Sequence, residues 1–233
     1  MAHPEQMEFV GRVSTMFPDA FVGKRVLEIG SLDINGSIRG LFRQCDYIGL
    51  DVAAGPGVDV VCQGQDYDAP EASFDTVVCC EVMEHNPSWK ETFANMLRLC
   101  KPGGLVLMTC ASTGRQEHGT TRTTPVNSPL TISIGWEYYR NLVKSDFCKS
   151  FNLHESLSEF CFFQNWKSFD LYFVGFRKGA DLAPETRRKL AATRRHYLCE
   201  SARVALKQLK MRLLIAAVGE ERYWAGPVRF WRE

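Results

Sequence analysis

Two histidines and three acidic residues that close apolar runs are the side chains whose types and spacing suit chemistry. Glu28 lies near the end of "RVLEIG" (25–30), where Gly30 lets a ligand come close to the backbone. Asp51 falls at the end of "DYIGLDV" (46–52), and an acid closing a second strand can accept both hydroxyls of a ribose. Glu81 follows "FDTVVCC" (74–80), with His85 four residues on and His118 in a long polar stretch. Histidine titrates near neutrality, so His85 and His118 are the candidate bases for a hydroxyl nucleophile. Glu84, His85, His118 and His154 could also make a metal set, but no spacing in the sequence supports one and no metal is expected.

The loop "EIGSLDINGS" (28–37) bears on two ligand classes, a dinucleotide and S-adenosylmethionine. A dinucleotide site needs G-x-G-x-x-G, so that pyrophosphate rests on a helix N-terminus. Here Gly30 is followed by no glycine until Gly36, which weakens that reading and leaves S-adenosylmethionine as the alternative.

These residues need a scaffold that presents strand ends. Short β-rich apolar runs supply it: 25–30, 46–52, 58–62, 74–80 and 104–110. Near-continuous apolar strands of this kind belong to a parallel sheet covered on both faces. Residues 26–42 read as a strand turning into a helix through the glycine loop. In "NPSWKETFANMLRLCKPGG" (86–104), Asn86 reads as N-cap, Pro87 as the first helical residue, and Phe93, Met96, Leu97 and Cys100 as one buried face. Residues 111–145 form a polar connection too long to be a plain turn and read as an acceptor-binding loop, in which "GRQEHGTTRTTPVNSPL" (114–130) and "WEYYRNL" (136–142) would cover the acceptor pocket, with "YYRNLVKSDF" (138–147) resuming helical spacing. The runs 157–166 and 169–179 are close enough to pair antiparallel at the sheet edge.

Chain-wide properties bound the function. No apolar run among the 233 residues approaches a membrane span, and the N-terminus lacks the charged-then-apolar order of a leader, so a cytoplasmic protein is expected. Nine cysteines without a CxxC pair read as buried thiols. The net charge of +1 hides a basic end: residues 181–233 hold 12 Lys/Arg against 6 Asp/Glu. Residues 1–180 therefore read as one domain and 181–233 as a basic helical extension, with Leu206, Leu209 and Leu213 on one stripe of residues 184–218. That helix would pack on its own domain or a second copy, with peripheral membrane contact as the alternative.

The segments "VDVVCQGQDYDAPEASFDTVVCCEVMEHNP" (58–87) and "LRLCKPGGLVLMT" (97–109) resemble ordered motifs of the class I S-adenosylmethionine-dependent methyltransferases, over roughly residues 22–110. "DLYFVGFRKG" is similar to that family's last, antiparallel strand. The resemblance implies a Rossmann-like, seven-stranded, mostly parallel sheet with helices on both faces, and S-adenosylmethionine as cofactor. It assigns cofactor binding to Glu28, Gly30, Ser31, Asn35, Gly36, Asp51, Gln63, Gly64, Cys80 and Glu81. The loop departs from the family's glycine pattern, predicting that Asp33 to Ser37 meet the cofactor differently. Arg115, Arg122, Trp136, Tyr138, Tyr139 and Arg140 are the expected acceptor-binding residues, because they can stack on or hydrogen-bond a ring. The strand end "CCEVMEH" lacks the signature of nucleic-acid amine methylation, which disfavours nucleic acid as acceptor. The expected activity is O-methylation of a small molecule or of a sugar or glycan hydroxyl. Methylation of a small amine, a non-catalytic cofactor-binding protein and a nicotinamide oxidoreductase are the alternatives.

Overall fold

In the computed structural model, residues 3–218 are described. Seven strands form one sheet: β1 (Arg25–Ile29), β2 (Asp46–Asp51), β3 (Val60–Val61), β4 (Phe74–Cys80), β5 (Cys100–Ala111), β6 (Leu157–Asn165) and β7 (Asp170–Arg177). Their spatial order is β3-β2-β1-β4-β5-β7-β6. All neighbouring pairs are parallel except those made by β7, which runs against both β5 and β6. The order reverses between β1 and β4, and the chain leaves both strands at the same end of the sheet. Ligands of open α/β sheets bind at such a switch point.

Helices α1 (Pro4–Met16), α2 (Trp89–Leu99), α3 (Pro129–Ser133), α4 (Lys144–Ser150), α5 (Leu153–Ser156) and α6 (Glu185–Val218) complete the fold. One sheet face buries Leu27, Val77, Val106 and Phe173 against Trp89, Phe93 and Met96 of α2 and Phe147 of α4. The other buries Val26, Val78, Leu107 and Tyr172 against Phe9, Val10 and Val13 of α1 and Leu190 and Tyr197 of α6. Phe9 stacks on Tyr172 with ring centroids 4.3 Å apart. The start of α6 is thus part of the core, whereas Leu198, Leu206, Leu209 and Leu213 are exposed. The rest of the expected extension, 219–233, lies outside the described residues. No helix among the described residues is long and apolar enough to cross a membrane.

Several local expectations are corrected. No α-helix follows the glycine loop; residues 38–41 make only a single 3₁₀ turn. Few residues separate Gly36 from β2, and Gln44, at φ +55°, breaks any continuing helix. The second helix begins at Trp89 with Ser88 before it, because the Asn86 carboxamide oxygen accepts the Ser88 N–H and makes a turn instead of a cap. Residues 138–143 are not helical either. The Arg140 and Leu142 amides donate to the carbonyls of Glu84 and Ala111, holding the segment extended until Asp146 accepts the Val143 N–H and α4 starts. Of the nine cysteines only Cys79, Cys80, Cys100 and Cys110 are buried, and Cys148 and Cys199 are exposed. Helix α1 escaped sequence reading, although Pro4 at its first position is a recognised start signal.

Candidate active site

The strand ends shape the first half of the site. Gly30 leaves β1 at φ +83°, and a Cβ there would lie 2.0 Å from the Val82 side chain, so only glycine fits between β1 and the end of β4. Leu32, where a second loop glycine might have been looked for, donates its N–H to one Asp51 carboxylate oxygen at 3.1 Å. The other Asp51 oxygen accepts the Val52 N–H at 2.8 Å. Burial pushes the Asp51 carboxyl upward, and the two amides oppose that shift. A carboxylate offers about four lone-pair sites, so two amide bonds leave capacity for further donors.

An open cleft runs past these residues, lined by Ile29, Gly30, Leu32, Asp51, Val52, Cys62, Gly64, Glu81 and Val82 on one side. A second, small hollow shares Gly30 and Leu32 with it and adds Gln6, Glu28, Ser31, Gly36 and Cys80. There Glu28 accepts the Tyr47 hydroxyl at 2.8 Å, and burial raises its carboxyl to about 7. The Ser31 hydroxyl is buried in the same hollow without a partner among the described residues. An acid with spare lone pairs beside one hollow, and an orphaned hydroxyl and a buried carboxyl in the next, fit a nucleoside joined to an amino-acid end.

The second half of the cleft is lined by His85, Asn86, Asn127, Ser128, Pro129, Leu130, Thr131 and Trp136. It is neutral: among the described residues no lysine or arginine lines it. His85 closes the short turn Met83–His85 after β4 and is buried, and burial followed by the nearby His118 pulls its pKa down to about 3. His118 is half-buried and also shifted downward, chiefly by burial. The two rings are nearly perpendicular with centroids 5.0 Å apart, and Tyr139 packs against both. Next to them Glu84 uses one oxygen to accept the Ala111 N–H at 3.1 Å, and burial together with the Glu81 charge raises its carboxyl.

Glu81 carries a constraint of its own. It adopts φ +56°, a left-handed conformation that costs a non-glycine residue about 1 kcal/mol or more. Its N–H is held by the Thr109 carbonyl at 2.9 Å. His3, just before α1, brings Nε2 within 3.1 Å of Asp170 and 3.6 Å of Glu81, off the line of a good hydrogen bond, so the contact is one of charge. Burial alone would lower the His3 pKa, but the two carboxylates outweigh it and hold it at about 10. Burial pushes Glu81 up, yet His3 overcomes this and keeps it ionised, whereas burial and the Glu81 charge raise Asp170.

The structure gathers most of the sequence-derived cofactor residues around the two hollows. Asn35 lies exposed on the loop, and the Gln63 amide oxygen is taken by Gln65 at 2.5 Å while Gly64 faces the cleft. The acceptor residues are dispersed. Trp136 lines the cleft. Arg115 donates to the Ser168 carbonyl and faces Asp170, Arg122 pairs with Glu117, and Arg140 with Asp146. Tyr139 donates its hydroxyl to the Gln116 carbonyl, and Tyr138 is half-buried outside the cleft lining. His154 packs on Phe160, away from the other histidines. Sequence reading missed His3 and Asn86 as site residues. It placed residues 127–131 within the acceptor-binding loop without singling any of them out, since the Asn-Ser-Pro turn residues there carry no chemistry by type.

Fold and site together define a class I, S-adenosylmethionine-dependent methyltransferase. The family model described as a methyltransferase domain matches residues 1–155, and the chain belongs to that family. Highly reducing polyketide synthase acrA of Aspergillus aculeatus is 26% identical over 125 residues, covering 43% of this chain; the chain spans 5% of that much longer protein. Among solved structures, the CurJ carbon methyltransferase superposes with TM-score 0.52 at 14% identity, covering 75% of this chain and 54% of that one. Haemonchus contortus phosphoethanolamine N-methyltransferase 2, with its phosphomonomethylethanolamine and S-adenosylhomocysteine, gives TM-score 0.50 at 13% identity, covering 73% and 53%. At these identities the two structures establish the fold.

Proposed function

We propose that the protein transfers a methyl group from S-adenosylmethionine to a hydroxyl of a small, uncharged acceptor such as a sugar or phenol. The observation that carries this is the single cleft running from Asp51 and Glu81 to the neutral wall of Asn86, Ser128, Thr131, Leu130 and Trp136. The cofactor supplies a methyl group already activated on a cationic sulfur, so the protein's work is alignment and exclusion of water. Asp51 suits the ribose hydroxyls, while Glu28 and Ser31 suit the amino-acid end. Glu81, held ionised, favours the cationic sulfur electrostatically. Trp136 offers a flat apolar face for a ring, and the amide and hydroxyls around it suit acceptor hydroxyls. His85 stays neutral at working pH, so its one unprotonated ring nitrogen can accept from an acceptor hydroxyl without repelling the sulfonium.

The low basicity of His85 supports a second reading, transfer to a small neutral amine, which needs no base. The two solved relatives act on carbon and on nitrogen by their names, and a shared fold does not fix the acceptor atom. Incubation with radiolabelled methyl donor and panels of sugars, phenols and amines tests both. Labelled hydroxyl products support the first reading, products confined to amines replace it with the second, and no product from any panel rejects both.

A further inference from the structure

The geometry points to a binding site for a divalent transition-metal ion formed by Glu84, His85 and His118. One ligand atom from each of these residues lies within 4.8 Å of the others. Two of them have unused lone pairs in a setting where buried polar atoms are normally paired. The second oxygen of Glu84 and Nδ1 of His85 are buried without partners among the described residues, in side chains 0% and 4% exposed. His118 is oriented like a ligand: its Nδ1 lies 3.0 Å from the Gln116 carbonyl, which as acceptor takes the ring proton there and frees Nε2. The same carbonyl accepts the Tyr139 hydroxyl at 3.0 Å, so loop, tyrosine and histidine are fixed by one atom.

The donor set selects the ion. Two imidazoles and a carboxylate suit zinc, manganese, iron or cobalt, and three protein ligands leave positions open for another group. Ligands about 2.1 Å from a common ion stand about 3.0–3.6 Å apart at ordinary coordination angles, so the set, now within 4.8 Å, closes by up to roughly 1–2 Å around an ion. Gly119, at φ +65°, lets the His118 loop lie against His85, since a Cβ there would come 2.8 Å from the His85 ring. The other buried cluster, His3 with Glu81 and Asp170, is a poorer candidate because its histidine already faces both carboxylates as a cation. The ion would stand beside the acceptor wall, where a hydroxyl can occupy an open position; that consequence rests on the proposed function, while metal binding itself does not.

The test uses the full chain, stripped with a chelator and titrated calorimetrically with Mn²⁺ and Zn²⁺, with visible absorption followed on Co²⁺ addition. One ion per chain is expected, with affinity lowered about ten-fold or more in Glu84→Gln and in His118→Ala. His3→Ala should leave the affinity unchanged. Far-ultraviolet circular dichroism and the melting temperature of each variant verify its fold. If the buried Glu84 variant fails that check, His118→Ala, altered on a half-buried loop, decides alone. Absence of saturable binding, or loss of binding in His3→Ala with retention in His118→Ala, overturns the proposal. No turnover enters the measurement, so failed methyl transfer leaves its outcome intact.

Discussion

The two halves of the cleft are built by different means. The cofactor half rests on β1, β2 and β4, whose ends are fixed by a continuous parallel ladder. The acceptor half is made by residues 127–136, one short helix and a stretch tied down by scattered backbone hydrogen bonds. A ladder imposes the position of every residue on it, so a strand end can be assigned from pattern alone. A loop closed by its own backbone contacts leaves its side chains free to vary, which is where a family changes acceptor without changing cofactor.

The sharpest way to break the cofactor half is Gly30→Ala. The left-handed φ and the collision with Val82 together should cost about 2–4 kcal/mol and abolish S-adenosylhomocysteine binding, read as a lower melting temperature and a flat calorimetric titration. Asp51→Ala frees the Leu32 amide and, on the proposed function, removes the ribose partner. Cofactor affinity should fall by about ten-fold or more while the KM for the acceptor holds, and equal losses in both would deny that the halves are separable. Trp136→Ala should do the reverse, raising the acceptor KM by about ten-fold with cofactor affinity unchanged.

A smaller effect is expected from pH. His3 has a raised folded pKa, so its stabilisation is complete below its ordinary value near 6.5 and fades as pH climbs toward about 10. Glu81 is shifted the other way, so its share is present above the usual carboxylate range and is lost as pH falls through its lowered value. Melting temperatures of wild type and His3→Gln should therefore converge between pH 6.5 and 10; a constant gap across that window would disprove the ion pair. Least of all should come from Arg122→Ala, an exposed pair with Glu117, for which unchanged kinetics and melting are expected.

The same division explains what could be read beforehand. Strands β1, β2, β4 and β5 announce themselves as apolar runs, and Glu28, Asp51 and Glu81 follow from their ends. The 3₁₀ turn after Gly36 was not legible because helix and turn share the same local residues, and distance to β2 decides between them. His3 was invisible for another reason: its partners, Glu81 and Asp170, are far away in sequence and meet it only once α1 covers the sheet. Arg115, Arg122 and Arg140 have the right chemistry for an acceptor, but each is committed to a nearer carboxylate or carbonyl.

The Gln116 carbonyl, which receives both His118 and Tyr139, has an evolutionary consequence. An organising atom that belongs to the main chain is present whatever residue occupies position 116. Substitutions across 127–136 can then explore new acceptors while the histidine pair keeps its orientation. A side-chain scan of the loop would record position 116 as neutral, and only a main-chain ester at the Gln116–Glu117 linkage, which weakens that carbonyl as an acceptor, would expose its part.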